Sequence, residues 1–123
     1  MTSMPAASPV VEWSDPARAR AFAAWLESVG TRHGIVAASL RPASSDASFR
    51  RYLRADRVGG GSLIVMDAPP PQEDVRPFVH VAGLIAAAGL NAPRVLEADA
   101  IHGFLLLDDL GNTLYLAALL EAQ

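Results

Sequence analysis

The chain of 123 residues contains no cysteine. That excludes disulfides and thiolate metal sites, and it fits a reducing compartment. It contains no lysine either, because all 10 basic residues are arginine. Any side-chain contact to a phosphate must then come from Arg, His, a hydroxyl or an amide. The net charge of -3 gives no global field that would draw nucleic acid. No apolar run approaches the ~20 residues of a membrane span. The opening "MTSMPAASPVVEW" has no basic stretch leading into an apolar core, so it does not read as a signal peptide and cytoplasm is the expected location.

What is present is a globular composition, 51% apolar, long enough for one domain with a core. Residues 1–12 read as a flexible lead-in. "SDPARARAFAAWLESVG" predicts a helix that Asp15 caps, Pro16 opens and Gly30 closes. Phe22, Trp25, Leu26 and Val29 form its apolar stripe, which reads as packing rather than a sugar-stacking platform with Trp13. Strands are expected at 34–42, 48–55 and 62–68, a helix at 76–88, and a hairpin at 94–99 and 103–108. A last helix begins at Asn112 or Thr113, and its pattern runs to Gln123 without a stop signal. Runs of strands interrupted by one helix predict an α+β fold: a five-stranded antiparallel sheet with helices on one side.

"DRVGGGSLIVMDAPP" has three glycines before a strand. A phosphate loop needs a helix there and a Lys within the motif, so Gly59, Gly60 and Gly61 read as a hairpin turn. The stretch "ASSDASFRRY" offers more: Ser44, Ser45, Asp46, Ala47 and Ser48 form a small polar turn followed at once by Arg50 and Arg51. Hydroxyls, turn amides and a guanidinium can hold an anion. The same residues also make an ordinary Ser/Asp turn with solvated arginines on an edge strand. His33, His80 and His102 are dispersed and lack ligand spacing, and His80 reads as a core histidine. Asp108 and Asp109 read as solvated carboxylates rather than a metal site. No catalytic constellation is readable.

Together "SSDASFRRYLR", "SLIVMDAPP", "EDVRPFVHVAGLIAAAGLNAPRVLEAD" and "GFLLLDDLG" resemble the N-terminal lobe of aminoglycoside-phosphotransferase-like kinases. More narrowly, they resemble the bacterial anomeric kinases for N-acetylmuramate and N-acetylglucosamine, which act in cell-wall recycling. The resemblance covers roughly residues 12–122. It implies the N-lobe of a protein-kinase-like fold over 13–107, with 108–123 as hinge and start of the next helix. It implies ATP as cofactor, with its phosphates under the turn of residues 44–48 and its adenine against Ile64, Met66 and Leu107. The hinge backbone of Asp108, Asp109 and Leu110 would meet the adenine edge. Mg²⁺ and the amino-sugar acceptor would be held by a C-terminal lobe that this stretch lacks, leaving it inactive alone and prone to self-association through the exposed lobe interface. The strand lysine of such kinases falls at or near Met66, and the helix at 76–88 has no glutamate. Arg50 or Arg51 is the expected substitute cation, with Asp67 less suited because a carboxylate repels phosphate. A different class of reading is a non-catalytic nucleotide-binding or interaction module, or a truncated gene product.

Overall fold

The computed structural model describes residues 11–45, 49–90 and 93–109. Helix α1 (Pro16–His33) starts where Pro16 fixes φ and the Asp15 carboxylate accepts from the Ala17 amide at 3.0 Å. It runs through Gly30, the expected cap. Gly34 closes it instead, in the left-handed region at φ 68°, its amide donating to the Gly30 carbonyl.

The strand expected over 34–42 does not form. Ile35 makes a single bridge to Arg57, and Ala37–Ser39 coil into a 3₁₀ turn. The Ser39 hydroxyl and amide both donate to the Val36 carbonyl, at 2.6 and 2.9 Å, and this local bonding displaces the ladder. Strand β1 begins only at Arg41 (Arg41–Ser45). Strands β2 (Arg51–Asp56) and β3 (Ser62–Asp67) follow as a hairpin. Gly59, Gly60 and Gly61 all take positive φ in its loop, so the glycines make a turn, as their sequence context predicts.

Helix α2 (Arg76–Ala87) is opened by Asp74, whose carboxylate accepts from the Arg76 amide at 3.0 Å. Strands β4 (Val95–Asp99) and β5 (Phe104–Asp108) complete one antiparallel sheet in the order β1-β2-β3-β5-β4. The helix expected from Asn112 or Thr113 lies outside the described residues.

The helices do not share one side of the sheet. Phe22, Leu26 and Val29 of α1 pack on Leu53, Leu63, Val65, Phe104 and Leu106. Phe78 and Ala82 of α2 pack on Tyr52, Ile64, Met66, Leu105 and Leu107. Successive strand residues point to opposite faces, so these are the two faces of one sheet. Double coverage is why "SLIVM" and "FLLL" are continuous apolar runs: β3 and β5 are buried on both sides. Phe22 meets Phe104 edge-on at 5.2 Å and Trp25 lies 5.3 Å from the same ring, which confirms the aromatic stripe as packing.

Candidate functional site

The site begins where β2 leaves the polar turn. The backbones of Ser44 and Ser45 pair with Tyr52 and Arg51 at one end of the β1–β2 ladder. Asp46, Ala47 and Ser48 lie outside the described residues. The two arginines after the turn separate. Arg51 faces α1: its Nε donates to the Asp67 carboxylate at 2.7 Å, and its guanidinium lies 4.4 Å from the Trp13 ring centroid. Arg50 is paired elsewhere, its Nε 3.4 Å from Glu73 just ahead of α2, with both side chains largely buried.

Asp67 is the buried carboxylate of the described residues. Arg18 of α1 donates to its Oδ1 from Nε at 3.0 Å and from Nη2 at 2.6 Å, while Arg51 holds Oδ2. Arg18 also donates to the His102 carbonyl and lies over the Phe104 ring. One carboxylate therefore joins α1, β2 and β3, and Arg18 extends the link to the β4–β5 turn. A cavity of about 1090 Å³ opens beside this cluster, between Trp13, Phe49 and His102. It lies toward α1, away from the face that carries Ile64.

On the α2 face, Ile64 and Met66 have no exposed surface and Leu107 almost none. Met66 fills the core between sheet and helix, so its position supplies packing and no charge. The two aspartates at the end of β5 are paired rather than solvated. Arg94 Nε donates to Asp108 at 2.9 Å, and Arg54 Nε donates to Asp109 at 2.6 Å with the Ser62 hydroxyl on the same oxygen, also at 2.6 Å. The hydrogen bond that Arg54 donates to Asp109 raises the Arg54 pKa above its ordinary value. Sequence reasoning had no local signal for these pairs, since Arg54 and Asp109 stand 55 positions apart. The Asp108 amide donates to the Arg94 carbonyl at 3.1 Å. Leu110 lies outside the described residues.

The histidines form no common site among the described residues. His33 bonds Glu97 at 2.8 Å, and His102 bonds Asp99 at 2.8 Å in the hairpin turn. Hydrogen bonds from Arg32 first and His33 second hold the Glu97 carboxyl below its usual range. His80 is exposed on α2 and is not the core histidine its spacing predicts, because the buried stripe runs through Phe78 and Ala82. Among the described residues no group of three His, Asp or Glu side chains has a metal-holding arrangement. No helix of the described residues is long and apolar enough to cross a membrane.

Residues 39–123 match the phosphotransferase enzyme family. The chain is 56% identical over 113 residues to the N-acetylmuramate/N-acetylglucosamine kinase of Pseudomonas aeruginosa, a match covering 86% of this chain and 33% of that protein. The enzymes of the same name from Pseudomonas putida and Neisseria meningitidis are 52% and 42% identical over 67% and 80% of this chain, and over 24% and 28% of their own lengths. The chain thus spans about a third or less of the curated relatives it matches. No solved structure matches it significantly.

Proposed function

Because the chain belongs to the phosphotransferase enzyme family, we propose that it forms the ATP-binding lobe of a kinase whose acceptor is an amino-sugar hydroxyl. The single observation that carries this reading is the 56% identity to an N-acetylmuramate/N-acetylglucosamine kinase across 86% of the chain. That similarity supports N-acetylmuramate or N-acetylglucosamine as the acceptor, and the proposal adds the anomeric hydroxyl as nucleophile and a place in cytoplasmic peptidoglycan recycling. The hydroxyl oxygen bonds to the γ-phosphorus and its proton is released, the bond to the β–γ bridging oxygen breaks, and ADP leaves. Catalysis of this kind is mainly positioning and charge stabilisation.

In this reading the turn of residues 44–48 covers the phosphates and Arg50 supplies the cation that a lysine gives elsewhere. Both arginines are paired, Arg51 with Asp67 toward α1 and Arg50 with Glu73 ahead of α2, and the phosphate role is assigned to Arg50 because its partner lies toward the helix that covers Ile64. Ile64 and Leu107 are assigned to back the adenine pocket from within the core, with Met66 packed beside them. The Asp108 amide is already bonded to Arg94, so the Asp108 carbonyl is the hinge group assigned to the adenine amino group, and Leu110 supplies the amide. Mg²⁺ accompanies ATP, but the described residues do not fit it, and no step is assigned to a metal here.

The test compares Arg50→Ala with Arg51→Ala in the full-length protein that carries this sequence. Loss of a charge-assisted contact to phosphate raises KM for ATP on the order of tenfold in Arg50→Ala. In Arg51→Ala the cost appears as stability, with KM for ATP near the parent value. Unchanged ATP affinity and turnover in Arg50→Ala would sink the assignment.

A further inference from the structure

We infer that Arg54 is a positioning residue for the nucleotide base, acting through the Asp109 carboxylate to fix the backbone that follows β5; the inference rests on the ATP-binding reading above. Three observations carry it. First, the Asp109 carboxylate is held at both oxygens by two other strands. Arg54 of β2 donates from Nε to Oδ2 at 2.6 Å and from Nη2 to Oδ1 at 3.2 Å, and the Ser62 hydroxyl at the start of β3 donates to Oδ2 at 2.6 Å. Second, this clamp is shielded from water. The Asp109 side chain keeps 9% exposure and that of Arg54 28%, whereas Arg94, which holds the neighbouring Asp108, keeps 74%. Third, the hairpin that supplies these donors also carries Ile64, which stands opposite Arg54 across β2–β3 and opposite Leu107 across β3–β5. The clamp therefore joins the strands assigned to back the adenine pocket to the backbone assigned to meet the adenine edge.

The geometry suits the task. The two adjacent aspartates are drawn to different neighbours: Arg94 ahead of β4 takes Asp108, while Arg54 and Ser62 take Asp109. The Asp108 carbonyl belongs to the planar peptide that joins them, so holding the side chains on either side of it limits its rotation. A hydrogen bond to a carbonyl weakens steeply as the alignment is lost, and a base that must reach two backbone groups at once depends on both being aimed. An exposed pair such as Arg94–Asp108 holds little. The two-pronged contact from Arg54 at low exposure fixes direction as well as distance. Backbone aimed before the nucleotide arrives needs no ordering on binding, and that saving appears as affinity for the base.

The experiment measures adenosine and ATP affinity by calorimetry, with KM for ATP and kcat, in the full-length protein that carries this sequence. The variants are Arg54→Met, Arg54→Lys, Asp109→Asn and the Arg54→Met/Asp109→Asn double variant, each with its melting temperature. Arg54→Met is expected to weaken adenosine and ATP by the same factor, on the order of tenfold, with kcat at saturating ATP within about twofold of the parent. Arg54→Lys keeps the charge and one donor, recovers part of the loss, and carries the test if the methionine variant does not fold. The double variant is no weaker for adenosine than the weaker single variant, because both remove one contact. Parent-like adenosine affinity in folded Arg54→Lys and Arg54→Met, with only the melting temperature lowered, makes the pair merely structural and overturns the inference while the ATP reading stands. Weaker ATP with unchanged adenosine overturns it as well, since the effect then lies at the phosphates. If the parent protein binds neither adenosine nor ATP, the inference falls together with the reading beneath it.

Discussion

At the scale of single residues, Gly103 is the most tightly constrained glycine among the described residues. It sits at φ 78° at the end of the β4–β5 turn, its amide donating to Asp99 and its carbonyl accepting from Ala68, both at 2.8 Å. A Cβ added there would lie 1.9 Å from the Ala68 carbonyl oxygen, which is backbone and cannot rotate away. Gly103→Ala therefore combines left-handed strain with a clash. It is expected to cost more than the about 1–3 kcal/mol of such a backbone conformation alone. Chemical denaturation of the variant checks this, and a loss below about 1 kcal/mol would mean that the turn relaxes. Gly59 differs, with positive φ but nothing within 4 Å of its would-be Cβ, so only the conformational cost applies there. The sequence marks both glycines alike, and only the tertiary neighbour of Gly103 separates them.

At the scale of elements, α1 is held to the sheet by apolar packing and by one buried carboxylate. Asp67 receives Arg18 from α1 and Arg51 from β2. Asp67→Ala leaves two partly buried guanidiniums without their acceptor. The expected loss is about 3 kcal/mol, toward the low end for a broken buried pair because Arg51 keeps 29% exposure and can reach water. Both tryptophans of the chain, Trp13 and Trp25, pack on this side of the sheet. Their fluorescence in a urea titration reports the loss directly, and an unchanged midpoint would show that the apolar contacts alone hold α1. Much of this layer was legible. Pro16 after Asp15, the spacing of Phe22, Leu26 and Val29, and the glycine hairpin place α1, β2 and β3 from sequence. The sequence "GIVAASL" misleads, because its apolar residues imitate a strand while Ser39 bonds back to Val36. The side chosen by each helix was also misread, although the unbroken apolar runs of β3 and β5 carried the signal of burial on both faces. The ion pairs Arg18–Asp67, Arg50–Glu73 and Arg54–Asp109 were not legible, since they join residues the topology brings together and no local spacing marks them.

At the scale of the whole molecule, the sheet gives its two faces different work. One face takes α1 and the Asp67 cluster. The other carries Ile64, Met66 and Leu107 against α2, with Arg50 paired to Glu73 at the approach to that helix. In this lysine-free chain Arg50 is the cation proposed to meet the phosphates of ATP. The central claim is that this lobe serves an amino-sugar kinase, and one measurement meets it most directly. Full-length protein carrying this sequence is incubated with ATP, magnesium and either N-acetylmuramate or N-acetylglucosamine, and the products are followed by phosphorus NMR. The account predicts ADP together with a new sugar phosphate ester whose phosphorus couples to the anomeric proton. Intact ATP with both sugars, or ADP with only inorganic phosphate, would contradict it.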